Sequence, residues 1–105
     1  MSAVDKIFNL IRDTSTSLPE DVLKALASSS RKEGAGSSAA VVLKTIRENC
    51  ALAKKNALPI CQDTGTLTFF VDAALRSRVT PSVIRKAVQR ATKAGFLRRN
   101  AIDSI

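Results

Sequence analysis

One short segment of the chain concentrates the side chains that can do chemistry. Residues 61–66 place a thiol, an amide, a carboxylate and two hydroxyls beside one glycine, in the order Cys61, Gln62, Asp63, Thr64, Gly65 and Thr66. Polar groups in a short loop between rigid elements are where binding and catalytic residues are commonly found. Glycine at position 65 permits a backbone conformation closed to other residues and lets a ligand approach closely. The segment therefore predicts a binding or catalytic loop.

Two other interpretations of this loop assign no function to the thiol. In the first, Asp63 caps the backbone near Gly65 in an Asx turn and Cys61 is simply buried. In the second, residues 63–65 are the Asp-Thr-Gly of an aspartic protease, whose retroviral members are dimers of chains about this long. Those proteases are all-β and place apolar residues before the aspartate, whereas Cys61 and Gln62 precede it here. The protease is therefore disfavoured, and the Asx turn stays open.

The composition limits the catalytic systems that these residues can form. The 105 residues contain two cysteines and no histidine, tryptophan or tyrosine. Without histidine, the Ser-His-Asp and Cys-His nucleophile systems and His-containing zinc sites are excluded. Any metal ligand must be Cys50, Cys61 or a carboxylate. The length allows one domain with a modest core and no interdomain cleft.

The sequence also predicts a compartment. Nothing at the start resembles a signal peptide, and no run approaches the roughly 20 apolar residues of a membrane span. Two thiols eleven residues apart are a weak basis for a disulfide framework. We therefore expect a soluble protein of the reducing cytoplasm, without membrane association.

Four helices and one strand are predicted to position the loop. Apolar residues recur at helical spacing in four segments. The first covers residues 3–13, and the second begins with a capping box at residues 17–20 and ends at the serines at 28–30. The third covers residues 38–56, and the fourth begins at Thr80-Pro81 and ends at Gly95. Cys50 lies on the apolar face of the third helix, which predicts a small buried residue rather than a ligand. Residues 67–71, Leu-Thr-Phe-Phe-Val, predict a mostly buried strand. We therefore expect an α+β fold, mainly helical with a short sheet.

The net charge of +8 is unevenly distributed. Residues 66–105 carry eight basic and two acidic side chains, several of them on the polar face of the fourth helix: Arg85, Lys86, Arg90 and Lys93. Such a face could contact nucleic-acid phosphates, which makes a basic helical binding module the alternative function. The low aromatic content and the lack of a recognition platform disfavour nucleic acid as a partner.

A resemblance to a known family sharpens the interpretation of the loop. The eight residues Pro59-Ile60-Cys61-Gln62-Asp63-Thr64-Gly65-Thr66 resemble the signature of oxygen-sensitive iron-sulfur hydro-lyases, the class I fumarases and L-tartrate dehydratase α subunits. Residues 17–22 resemble the family's second helix, and residues 97–101 resemble the segment after its basic helix. The resemblance covers nearly the whole chain. It implies reversible addition or removal of water on a C4 dicarboxylate such as fumarate, malate or tartrate.

The resemblance also implies roles for individual residues. Cys61 matches one of three cysteines that hold a 4Fe-4S cluster with one open iron position. Gln62, Asp63 and Thr64 match substrate-binding positions, and Asp63 is also the candidate catalytic residue or a structural one. Arg98 matches an arginine that pairs with a substrate carboxylate, with Arg99 as the alternative.

The family pattern extends beyond these residues. Relatives continue through an Asn-Thr-Gly segment and two more cluster cysteines, and they join a further domain or a β subunit. The resemblance therefore implies that residues 1–105 are the N-terminal region of an α-type catalytic domain, an incomplete piece that is inactive alone and belongs to an oligomer. A third possibility is a vestigial chain that docks on a partner subunit through an exposed apolar face.

Overall fold

A computed structural model describes residues 1–61, 63 and 65–99. Over these residues the chain forms four α-helices and one short 3₁₀-helix. Their bounds are α1 Ala3–Thr16, α2 Glu20–Lys32, α3 Ser38–Asn56, the 3₁₀-helix Ala73–Leu75 and α4 Pro81–Lys93. The chain divides into two compact units, the first formed by Met1–Ser15 with Cys61–Ile105 and the second by Thr16–Ile60. No helix among the described residues combines the length and apolar character needed to cross a membrane.

The predicted α+β fold with a short sheet is wrong for the described residues, which contain no β-strand. Leu67 and Phe69 pack against the core of the first unit, whereas Thr68 is exposed and Phe70 is 95% exposed. The prediction that this segment is mostly buried is therefore wrong, because its side chains alternate between the core and solvent as far as Phe70. A strand also needs a neighbour that bonds its N–H and C=O groups. The long described segments on either side of residues 67–71 are helices, so none of them can act as that neighbour.

Helices α1 and α4 build the core of the first unit. Its buried residues are Ile7 and Ile11 of α1, Ala87, Val88 and Ala91 of α4, and Leu97 beyond α4. The apolar line predicted for the fourth helix is confirmed, because Val88 and Ala91 are fully buried and Ile84 is partly buried against them. The residues that follow α4 are thereby held against the core through Leu97.

The bounds of α4 follow from local chemistry. The hydroxyl of Thr80 accepts a hydrogen bond from the N–H of Val83 at 3.3 Å, and Pro81 is the first helical residue. Proline suits this position because its missing N–H would have no partner inside the helix. Gly95 follows the helix with a φ of +89°. The predicted start and end of the fourth helix are confirmed.

Helix α1 is longer than predicted. The prediction ended it at residue 13, before the polar residues 14–17, yet it continues to Thr16. The hydroxyl of Thr14 donates to the carbonyl of Leu10 at 2.7 Å, so this polar side chain is satisfied inside the helix. Helix α2 likewise continues through the serines at 28–30 to Lys32.

The second unit contains α2 packed against α3. The predicted bounds of the third helix are confirmed at Ser38–Asn56. The hydroxyl of Ser37 accepts from the N–H of Ala40 at 3.2 Å at its start, and Ala57 ends it in the left-handed conformation. Cys50 is 4% exposed, which confirms that it is a small buried residue.

An ion pair joins the two helices of the first unit. Arg90 Nη1 of α4 lies 2.6 Å from Asp5 Oδ1 of α1, and the guanidinium carbon lies 4.2 Å from the centre of the Phe8 ring. The Ser2 N–H donates to Asp5 Oδ2 at 3.0 Å. The backbone bond from Ser2 and the bond from Arg90 lower the pKa of Asp5 from 3.8 to about 2.

This lowered pKa predicts acid sensitivity. A carboxyl whose folded pKa lies below its unfolded value adds stability above the unfolded pKa and loses it as the pH falls through the folded pKa. Replacing Asp5 by asparagine should therefore lower the free energy of unfolding above pH 3.8, and the difference from wild type should shrink as the pH approaches about 2. Urea denaturation at a series of pH values measures this. Parallel stability curves for the two proteins would contradict the assignment.

Candidate functional site

Asn49 of α3 anchors the chain directly before the thiol. Its side-chain amide donates to the carbonyl oxygen of Ile60 at 2.9 Å. The bond ties Ile60 to the helix one residue before Cys61. Nothing in the sequence distinguished Asn49 from its neighbours. It is one polar residue on a helix, eleven positions before Ile60, and it belongs to no motif.

Cys61 and Asp63 are held together by the backbone of the loop. Cys61 is exposed, and its Sγ accepts a hydrogen bond from the N–H of Asp63 at 3.4 Å. This bond orients the sulfur toward the backbone of Asp63. The interpretation in which Cys61 is buried is therefore wrong.

The Asx turn is confirmed. Asp63 Oδ1 accepts from the N–H of Gly65 at 3.1 Å. Gly65 has a φ of +61°, in the left-handed region that favours glycine. The turn and a functional loop are compatible, since the same turn sets the position of the Asp63 carboxylate. Gln62 and Thr64, for which the family resemblance implies substrate binding, lie outside the described residues.

The left-handed turn leads to a prediction for Gly65. Replacing it by alanine should cost about 1 kcal/mol, because a Cβ disfavours this conformation. An added Cβ would meet no atom within 4 Å, so the cost is backbone strain alone. Gly34→Ala is the matched control, because an added Cβ there also meets nothing within 4 Å and its φ is not positive. Urea denaturation and the amide signals of residues 61–66 measure the difference, and equal stability of the two variants would contradict the strain.

Arg98 reaches the loop from the segment that follows α4. Its Nη2 donates to Asp63 Oδ1 at 3.0 Å, and the side chains of Arg98 and Asp63 are 47% and 73% exposed. Buried Leu97 fixes the backbone immediately before it. Arg99 is exposed and has no hydrogen bond within the described residues. The structure thus brings Cys61, Asp63 and Arg98 into one hydrogen-bonded group, and the Asp63–Arg98 pair was not foreseen.

The described residues supply one accessible thiol for a metal. Both cysteines are free, with Cys50 buried and Cys61 exposed. No group of three or more His, Cys, Asp or Glu side chains converges among these residues. The donor set fits one soft ligand of a metal cluster and does not form a complete cluster site by itself.

Two other surface features lie apart from this loop. A groove of about 590 Å³ in the first unit is lined mainly by apolar side chains of α1 and of residues 69–79, and none of Cys61, Asp63 and Arg98 lines it. On α4, Arg90 is bound to Asp5 and covers Phe8. One of the four cations expected to contact phosphates is therefore used within the first unit.

Comparison with known proteins identifies related sequences. The model of a family described as fumarate hydratase (Fumerase) matches residues 4–105. The chain is 43% identical over 103 residues to a Geobacillus stearothermophilus protein whose name assigns it to fumarate hydratase class I, a match that covers 96% of this chain and 20% of that protein. It is 31% identical over 108 residues to the L(+)-tartrate dehydratase subunit alpha of Escherichia coli K12, covering 96% of this chain and 35% of that subunit. The chain thus spans about a fifth to a third of the length of these curated relatives.

Proposed function

Because the chain belongs to the fumarate hydratase (Fumerase) family, we propose that it forms part of a hydro-lyase that reversibly adds or removes water on a C4 dicarboxylate. The family resemblance inferred from residues 59–66 is confirmed. The names of the relatives include fumarate and L(+)-tartrate, which both carry two carboxylates. The observation that carries the proposal is the grouping of Cys61, Asp63 and Arg98 around one loop.

Arg98 is proposed to bind a substrate carboxylate. Its guanidinium has five N–H donors, and one of its nitrogens is used in the bond to Asp63. The planar group can still offer a pair of donors to a second carboxylate, a geometry that arginine favours. Its side chain is half exposed, so a ligand can reach it. Gln62 and Thr64, which flank Asp63, are proposed to line the same pocket.

Cys61 is proposed to be one of three thiolate ligands of a 4Fe-4S cluster. It is the exposed cysteine of the chain, whereas Cys50 is buried and unsuited to the role. When bound, such a cluster supplies an iron with an open position that polarises a substrate hydroxyl. The other two thiolates are proposed to come from polypeptide outside these 105 residues.

The proposal extends to the assembly. We propose that residues 1–105 act as the N-terminal region of an α-type catalytic domain, and that the missing catalytic groups come from further residues or from a β subunit. The name of the Escherichia coli relative, a subunit alpha, agrees with such a division. An oligomer in the reducing cytoplasm completes the proposal, because thiolate-bound clusters need reduced cysteines.

A chimera tests the hydro-lyase function. The matched segment of the Geobacillus stearothermophilus protein is replaced by this chain, and the product is purified without oxygen beside its parent. We expect the chimera to hydrate fumarate or dehydrate L(+)-tartrate within about tenfold of the parent, which is about 1.4 kcal/mol in the barrier. A folded chimera that has the iron content of the parent and no activity on either substrate would refute the proposal.

A further inference from the structure

We infer that Asp63 is a positioning residue, whose carboxylate holds the Arg98 guanidinium beside the Cys61 loop so that its remaining donors can bind a ligand carboxylate. The inference rests on the proposed function and deepens it, because it assigns Asp63 a role that acts through Arg98. This role differs from the proton transfer that the sequence left open for Asp63.

The carboxylate of Asp63 is itself held by the loop. Its Oδ1 accepts from the N–H of Gly65 at 3.1 Å, and the N–H of Asp63 donates to Cys61 Sγ at 3.4 Å. The side chain and the backbone of Asp63 are therefore both bonded within the loop. A partner of Oδ1 consequently takes up a defined position relative to the thiol.

The Arg98 side chain needs a bonding partner to hold it in one orientation. Its backbone is fixed by buried Leu97, but its own side chain is half exposed and has one hydrogen bond among the described residues, the 3.0 Å bond to Asp63 Oδ1. Arginine has many rotamers, and ordering them opposes binding. A bond that orders the side chain beforehand removes part of that cost from ligand binding. Arg99 is also exposed and lacks a bond within the described residues, so it is an internal reference.

The direction in which ligand affinity changes when the Asp63 charge is removed separates a positioning role from simple electrostatic repulsion. A carboxylate beside an anionic ligand repels it, so removal of the Asp63 charge would tighten binding if repulsion were its main effect. A positioning role predicts the opposite, because Arg98 would lose its orientation. Asp63→Asn is the informative variant, because the asparagine oxygen can still accept from Gly65 and keep the turn. Loss of the charge weakens the bond from Arg98, since charge-assisted bonds are about twice as strong as neutral ones.

The first experiment measures the Arg98 side chain without any ligand. In the ¹⁵N-labelled 105-residue chain, we expect the Nε–H of Arg98 to show a higher heteronuclear NOE than that of Arg99, because the bond from Nη2 to Asp63 restrains the guanidinium. In Asp63→Asn, the weaker bond should lower the Arg98 value toward that of Arg99 while the amide signal of Gly65 keeps its position. Equal values for the two arginines in the wild type, or an Arg98 signal unaffected by Asp63→Asn, would overturn the inference.

The second experiment titrates fumarate into the same proteins, with Asp72→Asn as a control for the loss of one negative charge, because Asp72 Oδ1 likewise accepts a backbone N–H two residues on, from Ala74. We expect the Kd for fumarate to rise at least threefold in Asp63→Asn and to change less in Asp72→Asn. A lower Kd in Asp63→Asn would overturn the positioning role. Absence of fumarate binding in the wild type would count against the carboxylate role proposed for Arg98, and the ligand-free side-chain measurement would then decide the role of Asp63.

Discussion

Replacement of Cys61 by serine is expected to abolish cluster assembly and hydro-lyase activity in the chimera that contains this chain. A serine hydroxyl is a harder donor than a thiol and loses its proton less readily, so it is a poor substitute for thiolate on cluster iron. Loss of residues that only support a metal ligand already costs about 10–100-fold in activity or metal affinity, so loss of the ligand itself should cost at least about 100-fold. The iron content, the visible absorbance of the cluster and the rate of fumarate hydration measure the effect.

Cys50→Ala is the matched control for this substitution. Cys50 is buried and lies in the second unit, so its loss should leave the cluster intact. The small cavity should lower the free energy of unfolding by about 1 kcal/mol. Normal cluster absorbance in Cys61→Ser, or loss of the cluster in Cys50→Ala alone, would show that the ligand assignment is wrong.

Replacement of Val88 by aspartate is expected to unfold the first unit. Val88 is fully buried in the core that α1 and α4 share. An unpaired carboxylate there has no described polar partner, and its burial should cost more than about 4 kcal/mol. Small domains have only about 5–15 kcal/mol of stability, so little would remain. Urea denaturation followed by circular dichroism, with NMR signals of α1 and α4, measures the loss.

Two variants control for this effect. Val88→Ala removes volume without adding charge and should cost about 2 kcal/mol. Val42→Asp adds the same charge to α3 at a position that is 56% exposed, where a change within about 0.5 kcal/mol is expected. If Val88→Asp proved as stable as Val42→Asp, the core assigned to the first unit would be incorrect.

The helix bounds that local chemistry controls were predictable. The start of α4 follows from Thr80 and Pro81, whose hydroxyl and missing N–H act within one turn. The bounds of α3 were predicted at about residues 38 and 56, and the hydroxyl of Ser37 accepts from the N–H of Ala40 at its start. These contacts join residues a few positions apart, so the sequence pattern contains both partners.

The strand prediction failed because a sheet needs a partner that is distant in the sequence. The largely apolar residues 67–71 predicted a mostly buried segment, whereas Leu67 and Phe69 pack against the core and Phe70 is exposed. The pattern describes the two faces of a segment, but a sheet depends on backbone bonds to a second segment that periodicity does not reveal. The extension of α1 to Thr16 was also missed, because the bond from the Thr14 hydroxyl to Leu10 removes the expected break.

The functional loop likewise has features that depend on neighbouring residues and features that depend on distant ones. The sequence alone establishes the Cys-Gln-Asp-Thr-Gly-Thr loop, a glycine at position 65 that permits an unusual backbone conformation, and membership of the fumarate hydratase family, because each depends on neighbouring residues or on the identity of the motif. Only the tertiary structure determined that Arg98 rather than Arg99 meets Asp63, and that Asn49 holds Ile60 before the thiol. The first of these contacts joins residues 35 positions apart and the second joins residues eleven apart. Which of the two adjacent arginines reaches Asp63 depends on the packing of the helices and on the backbone position fixed by Leu97. The local spacing of residues in the sequence encodes neither of these.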